Sequence, residues 1–268
     1  MVPVSSKLPV ASAEVPRSLV LLSATRAWCY RLSIMVDTVP VGQPLVVGRY
    51  SLLTEVAAGG MATVHLGRLT GPVGFSRTVA IKRLHAQFAK DPEFVAMFLD
   101  EARLAARIQH PNVVSIIDVV AERGELLLVM DYIQGEALSK LFRVMVKHGA
   151  RLQPNLACKI ITEVLAGLHG AHEATSERGT PLGVVHRDVS PQNVLVGVDG
   201  SAHLIDFGVA KASERAHCTR EGMVKGKLAY MAPEQIKGGV VDRRTDIYSV
   251  GVVLWEALTG EHLFHGGD

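Results

Sequence analysis

Four short clusters carry most of the side chains able to do chemistry. The first is Val56-Ala57-Ala58-Gly59-Gly60-Met61-Ala62-Thr63-Val64. Small residues there let backbone N–H groups approach phosphate oxygens with no Cβ in the way. The second is Lys82, which ends the apolar run Val79-Ala80-Ile81, with Glu101 on the helical stretch that follows. A Lys82–Glu101 ion pair would hold the ammonium against the α- and β-phosphates of a nucleotide. The third is His186-Arg187-Asp188-Val189-Ser190-Pro191-Gln192-Asn193. The fourth is Asp206-Phe207-Gly208, with Ala232-Pro233-Glu234 behind it. Taken singly, each has an ordinary reading: a hairpin turn, a strand lysine that snorkels, a solvated turn carboxylate.

The elements that must position these groups are legible from period and punctuation. Tyr50 to Leu66 reads as two strands around the small-residue turn, and Val79–Lys82 as a third. Asp91-Pro92 supplies an N-cap and a first helical residue. Phe94, Phe98, Ala105 and Ile108 then share a helical face, and His110-Pro111-Asn112 ends the helix. Val113–Val119 and Leu126–Met130 read as strands joined at Glu122-Arg123-Gly124. Beyond Gln134-Gly135 the pattern turns helical, with Pro154 opening a helix through Leu156, Ile160, Val164 and Leu168. Val194–Val196 and His203–Ile205 form a hairpin around Asp199-Gly200. Asp246–Leu258 is apolar almost all round, which predicts burial, and Gly260 stops it. A sheet-rich first part, a helix-rich second part and a hinge near Asp131–Gly135 leave a cleft between them, a usual place for a ligand.

In this order and spacing the clusters resemble the eukaryotic-type protein kinases. Gly59-Gly60-Met61-Ala62 is similar to the first loop of bacterial Ser/Thr kinases, and the resemblance covers residues 50–268. It implies an α+β, protein-kinase-like two-lobed fold: an N-lobe over residues 46–130, a hinge at 131–135 and a partial C-lobe over 136–268. It also implies transfer of the ATP γ-phosphoryl group to Ser/Thr hydroxyls of a protein, with ATP and Mg²⁺ as cofactors. By the same resemblance Asp188 orients the acceptor hydroxyl and takes its proton. Asn193 and Asp206, both hard oxygen donors, hold the Mg²⁺. Adenine lies between Val64 and Ala80 above and Leu195 below. Met130 is the gatekeeper, and Asp131 to Ile133 offer hinge backbone hydrogen bonds. Arg187 pairs with a phosphorylated residue downstream, Thr219 first and Ser213 second. The alternatives are a nucleotide-binding scaffold without turnover and an unstable kinase fragment.

The sequence departs from that family in several places. Ala57 stands where the loop prefers glycine, and is expected to stiffen it or alter its φ/ψ. Ser190 stands where Ser/Thr kinases usually carry a catalytic-loop lysine, and Lys227, in Gly226-Lys227-Leu228, where they usually carry a threonine. The pair looks exchanged: Lys227 would supply the missing charge and Ser190 the hydrogen bond, since Coulomb attraction depends on where the ammonium sits. A solvent-facing Lys227 and a weaker kinase is the plain alternative. That exchange also clouds the choice of acceptor hydroxyl. Asp246 is expected to brace the catalytic-loop backbone. The sequence stops ten residues after Leu258, without the arginine that normally pairs with Glu234. This predicts an uncovered apolar face, an unpartnered Glu234 and an unstable C-lobe, unless a partner or a missing segment covers the surface. Ala174–Leu182 reads as a tolerated surface insertion.

Composition sets the outer bounds. Lys+Arg 28 against Asp+Glu 26 shows no broad footprint for nucleic acid or an anionic membrane. A 48% apolar share excludes a disordered chain. Cys29, Cys158 and Cys218 are odd in number and far apart, which excludes a disulfide framework and suits a reducing cytoplasm. Residues 1–45 read as a disordered tail, or as sequence ahead of a true start at Met35. Their apolar run, Ser18 to Ala24, is too short for a membrane span, which needs about 20 residues.

Overall fold

A computed structural model describes residues 44–207 and 228–264. All of these belong to the second of two units into which contacts divide the chain, Val41–Asp268. The first part is a six-stranded antiparallel sheet in the order β1-β2-β3-β4-β6-β5. Its strands are β1 (Leu45–Val47), β2 (Tyr50–Ala58), β3 (Ala62–Thr70), β4 (Ser76–Leu84), β5 (Ile116–Glu122) and β6 (Glu125–Asp131). One helix, α1 (Pro92–Ala105), packs on it.

β6 reads as a continuous apolar run because both faces of the sheet are covered. Alternate side chains of a strand point to opposite faces. Leu127 and Val129 join Val47, Tyr50, Val79 and Ile81 on one side. Leu126 and Leu128 join Leu84, Phe98 and Ala102 on the other. Each such leucine contributes about 2 kcal/mol on burial. The β5–β6 turn places both Arg123 (φ 54°) and Gly124 (φ 77°) in the left-handed region. That is the geometry a two-residue hairpin needs to follow the twist of its strands.

The second part holds a small sheet in the order β7-β8-β9, made of β7 (Gly135–Ala137), β8 (Val194–Gly197) and β9 (Ala202–Leu204). Around it lie α2 (Leu138–Lys147), α3 (Pro154–His172), α4 (Pro233–Ile236) and α5 (Arg243–Thr259). At Gly135 β7 runs so close to β8 that a Cβ would stand 2.2 Å from the Val196 carbonyl oxygen. Only glycine fits that approach.

Several sequence expectations need correction. α1 ends at Ala105, and Ile108 is buried from the loop beyond it. Tight bonds from Arg107 N to Leu104 O and from Ile108 N to Ala105 O unwind the last turn before His110. β5 starts at Ile116, because Val113 pairs with Leu204 instead and Val114 N donates to Leu204 O. β7 precedes the expected helical region. In α3, Leu156 is exposed and Ala157 takes its place in the core. A strict spacing of four drifts about 40° per step from the 3.6-residue period, so Leu156 falls off the face that carries Ile160, Val164 and Leu168. α5 is not buried all round: Val250, Val252, Val253 and Ala257 are buried, whereas Ile247, Trp255 and Leu258 are exposed. Gly260 does close it, in the left-handed conformation at φ 73°.

Candidate active site

β4 delivers the lysine. Ile81 points into the outer core, so Ala80, Lys82 and Leu84 share the face toward α1. On α1, Phe98, Ala102 and Ala105 are the buried contacts, and they carry Glu101 toward the same face. Lys82 Nζ lies 3.2 Å from Glu101 Oε1 and 2.9 Å from Asp206 Oδ1. Burial alone would lower the ammonium pKa. The charges of Asp206 and Glu101, with their hydrogen bonds, outweigh it and hold the pKa above lysine's ordinary value.

Asp206 follows β9, whose backbone is pinned by Leu204 N donating to Asn112 O (2.8 Å). Asp206 itself takes φ 56°, uncommon for a residue with a side chain. Phe207 packs its ring, tilted by 42°, 4.6 Å from that of His186, which is fully buried. A bond from Ile205 N to Asn193 O (3.1 Å) ties this strand end to the catalytic loop.

That loop is held from beneath. Buried Asp246 on α5 accepts Arg187 N at Oδ1 (2.8 Å) and His186 N at Oδ2 (2.9 Å). His172, at the end of α3, reaches the same Oδ2 at 2.7 Å. Gln235 Nε2 donates to Arg187 O (2.8 Å). Arg187 is thereby fixed at φ 66°, a strained conformation that the surrounding bonds over-determine. Asp188 is 8% exposed, and Asn193 Nδ2 donates both to its carbonyl oxygen and to its Oδ2, each at 2.7 Å. Asn193 N closes the turn onto Ser190 O (2.9 Å).

The structure thus brings Lys82, Glu101 and Asp206 into direct contact and joins Asp188 to Asn193. Because Asn193 spends its amide nitrogen on Asp188, its Oδ1 is the donor left for a cation. Together with the Asp206 carboxylate this is a pair of hard oxygens, not a full cage. Such a pair fits Mg²⁺, which keeps several waters and shares phosphate oxygens.

The remaining expected residues are placed as follows. Val56 to Gly60 form the exposed end of β2 and its turn, with Gly59 N bonded to Ala62 O (2.8 Å). Ala57 lies within β2 opposite Val64, where the pairing with β3 shifts register between Glu55 and Ala57, and it is not among the residues with positive φ. Met61 packs against the Leu84–Phe98 cluster, and Ala62 is buried. Thr63 pairs with Arg83, and Val64 with Lys82, which puts Val64 and Ala80 on the lysine's face. Met130 lines a cavity of about 20 Å³ with Glu101, Leu128, Asp206 and Phe207. Asp131 N already donates to Ser115 O (3.0 Å), so only its carbonyl can serve a base. Ile133 lies half-buried between β6 and β7, and Leu195 sits on β8 opposite Ala137. Ser190 is buried, and its Oγ has no hydrogen-bond partner among the described residues. Lys227, Thr219 and Ser213 lie outside the described residues.

Glu234 corrects another expectation. It is half-buried and accepts from Thr245 Oγ1 at 2.6 Å, a bond that lowers its pKa, so it is not an orphaned charge. Sequence reasoning missed His172 and Gln235. His172 continues the buried stripe of α3 four residues after Leu168, a signal that was available. Gln235 carried none.

A buried lysine is shared by two carboxylates at the junction of a sheet lobe and a helical lobe, the arrangement that the kinase resemblance implies. The protein kinase domain family matches residues 50–268, and the chain belongs to that family. It is 45% identical over 221 residues to the tyrosine-protein kinase MasK of Myxococcus xanthus, covering 82% of this chain and 34% of MasK. It is 36% identical over 227 residues to the serine/threonine-protein kinase PknL of Mycobacterium tuberculosis, covering 85% of this chain and 53% of PknL. It is 35% identical to the serine/threonine-protein kinase PrkC of Bacillus subtilis, covering 82% of this chain and 32% of PrkC. The chain therefore spans about a third to a half of these relatives. Among solved structures, the Mycobacterium tuberculosis PknI kinase domain matches with a TM-score of 0.62 at 26% identity, covering 85% of this chain and 81% of that one.

Proposed function

We propose that the chain is an ATP-dependent protein serine/threonine kinase. The observation that carries the reading is Lys82 Nζ held between Glu101 and Asp206 at 3.2 and 2.9 Å. Phosphoryl transfer needs alignment and charge neutralisation more than covalent help. Lys82 binds the α- and β-phosphates, and the loop from Val56 to Val64 covers them. Asn193 and Asp206 would hold Mg²⁺, which would supply charge neutralisation at the phosphate oxygens. Asp188 accepts the proton of the acceptor hydroxyl as its oxygen bonds to the γ-phosphorus. The bond to the β–γ bridging oxygen breaks, and ADP leaves. Val64, Ala80, Met130 and Leu195 line the adenine slot, with the Asp131 carbonyl and Ile133 at the hinge.

The Lys82–Glu101–Asp206 contact and the Asp188–Asn193 pair support turnover, and no observation favours a scaffold without it. Lys227 supplies the charge that Ser190 lacks, and Thr219 is the first site of autophosphorylation, with Ser213 second. No described helix is long and apolar enough to cross a membrane, and the domain acts on proteins in the cytoplasm.

The test is transfer of labelled γ-phosphate to the chain itself and to a generic protein acceptor, with Asp188→Asn as control. Transfer that Asp188→Asn abolishes is expected. Phosphoamino-acid analysis then reads the acceptor: phosphotyrosine alone would overturn the Ser/Thr assignment. Thr219→Ala is expected to remove most of the phosphate the chain puts on itself.

A further inference from the structure

From Leu138 to Thr162 the chain carries Lys140, Arg143, Lys147, Arg151 and Lys159 and not one Asp or Glu, although its overall charge is near balance. On α2 three of these cations form a stripe. Leu138, Phe142 and Met145 are the buried side of that helix. At 100° per residue, Lys140, Arg143 and Lys147 fall on the opposite side, and all three are exposed. Lys140 pairs with Glu136 at 3.0 Å and Lys159 with Glu163 at 2.6 Å. Arg143, Lys147 and Arg151 make no ion pair among the described residues. The helix dipole favours a cation in the last turn, which accounts for Lys147 but not for Lys140 near the start. Arg143 and Lys147, four apart, repel one another.

The stripe is continuous with the site. Ala137, the residue before α2, is paired with Leu195 of β8, the residue proposed above to line the adenine slot. Ser139 N donates to Pro191 O of the catalytic loop at 2.8 Å. α2 therefore leaves the cleft and runs about 15 Å away from it.

We propose that the exposed face of α2 docks an acidic segment of the protein acceptor. This rests on the phosphotransferase reading above and adds a substrate class to it. Charge complementarity selects the occupant: carboxylates meet Arg143 and Lys147, and the hydroxyl to be phosphorylated reaches Asp188. An extended chain covers about 3.3–3.6 Å per residue, so the acidic cluster belongs roughly four to eight residues from the acceptor.

Two peptides test this on the full chain. Both carry one serine in the same core; one has an Asp/Glu cluster six residues away, the other neutral residues there. The acidic peptide is expected to show a KM at least 5-fold lower at low salt, with the gap closing at high salt. R143E/K147E should erase the preference and leave kcat on the neutral peptide unchanged, while R143K/K147R keeps it. Anisotropy of the labelled acidic peptide reads docking without turnover. Docking without transfer supports this proposal and counts against the phosphotransferase reading. Equal KM and equal binding for the two peptides overturns the proposal. So does a preference that survives R143E/K147E. Binding of anionic lipid vesicles or DNA that R143E/K147E removes, with no peptide preference, would assign the stripe to those partners and overturn it too.

Discussion

Asn193 is bonded twice to Asp188: one amide nitrogen donates to both the carbonyl oxygen and Oδ2 of the aspartate, each at 2.7 Å. These two hydrogen bonds orient the carboxylate proposed to receive the acceptor proton and turn the amide oxygen of Asn193 the other way.

Replacing Asn193 by aspartate removes that donor and sets two carboxylates at hydrogen-bond distance. Like charges so close cannot both ionise freely, so one pKa rises. Asn193→Asp should lower kcat on the order of 100-fold or more. The acidic limb of the kcat profile should also move to higher pH. A loss of rate with the limb unmoved would mean that Asn193 acts on the metal alone.

Lys82 behaves differently with pH. Burial lowers its pKa, but Asp206 and Glu101 more than offset this, so the folded value lies above the unfolded one. A raised lysine pKa contributes stability that is fully present below the unfolded value, about 10.4. That stability is lost only as pH climbs through the higher folded value. The urea midpoints of the wild type and Lys82→Met should therefore differ by the same amount at pH 7, 8 and 9. Lys82 should also give the activity profile no limb in that range. A difference that shrinks between pH 7 and 9 would show that the ammonium is not held as described.

Much of this was legible in the sequence because the residues that do the chemistry sit at punctuated places. Asp91-Pro92 marked the start of α1 with the cap that is observed, Asp91 accepting from Glu93 N. Gly260 marked the end of α5. What escaped was set by tertiary pairing. Val113 had the apolar character of a β5 residue but sits opposite Leu204 in an isolated bridge, bonded through its neighbours Asn112 and Val114. Gly135–Ala137 forms a strand only because β8 lies beside it. The clusters at Lys82, Asp188, Asn193 and Asp206 could be read from order and spacing. The brace beneath them could be read only in part: Asp246 was expected and His172 falls on the buried stripe of α3, whereas nothing in the sequence pointed to Gln235.

Asp246 carries the catalytic loop. Its carboxylate is fully buried and receives two backbone N–H groups and His172. Asp246→Ala leaves those donors unsatisfied in the interior, a loss of about 3–5 kcal/mol. For a domain of this size that lowers Tm by roughly 6–20 °C. Asp246→Asn keeps one oxygen acceptor but faces an N–H with its amide, so an intermediate loss is expected. Calorimetry of the two variants checks the order. A Tm for Asp246→Ala within 2 °C of wild type would mean that the loop stands without its brace.

Ser190 and Lys227 allow the proposed exchange of charge and hydroxyl to be tested directly. Ser190 is 3% exposed, and its hydroxyl meets no partner among the described residues. A buried hydroxyl left alone costs about 1–3 kcal/mol, so if nothing bonds it Ser190→Ala should be neutral or stabilising and leave activity intact. If Lys227 is its partner and the source of the γ-phosphate charge, Ser190→Ala and Lys227→Met should each lower kcat, and the double variant should be little worse than Lys227→Met alone. The coupling in a double-mutant cycle would then exceed about 0.5 kcal/mol, the limit within which independent sites add. Arginine at position 227 should restore part of the rate, since it returns the charge without the lysine's shape. Additive effects, or Lys227→Met at wild-type rate, would place the ammonium away from the reacting phosphate. The low charge at Ser190 would then have to be met by Lys82 and the metal alone.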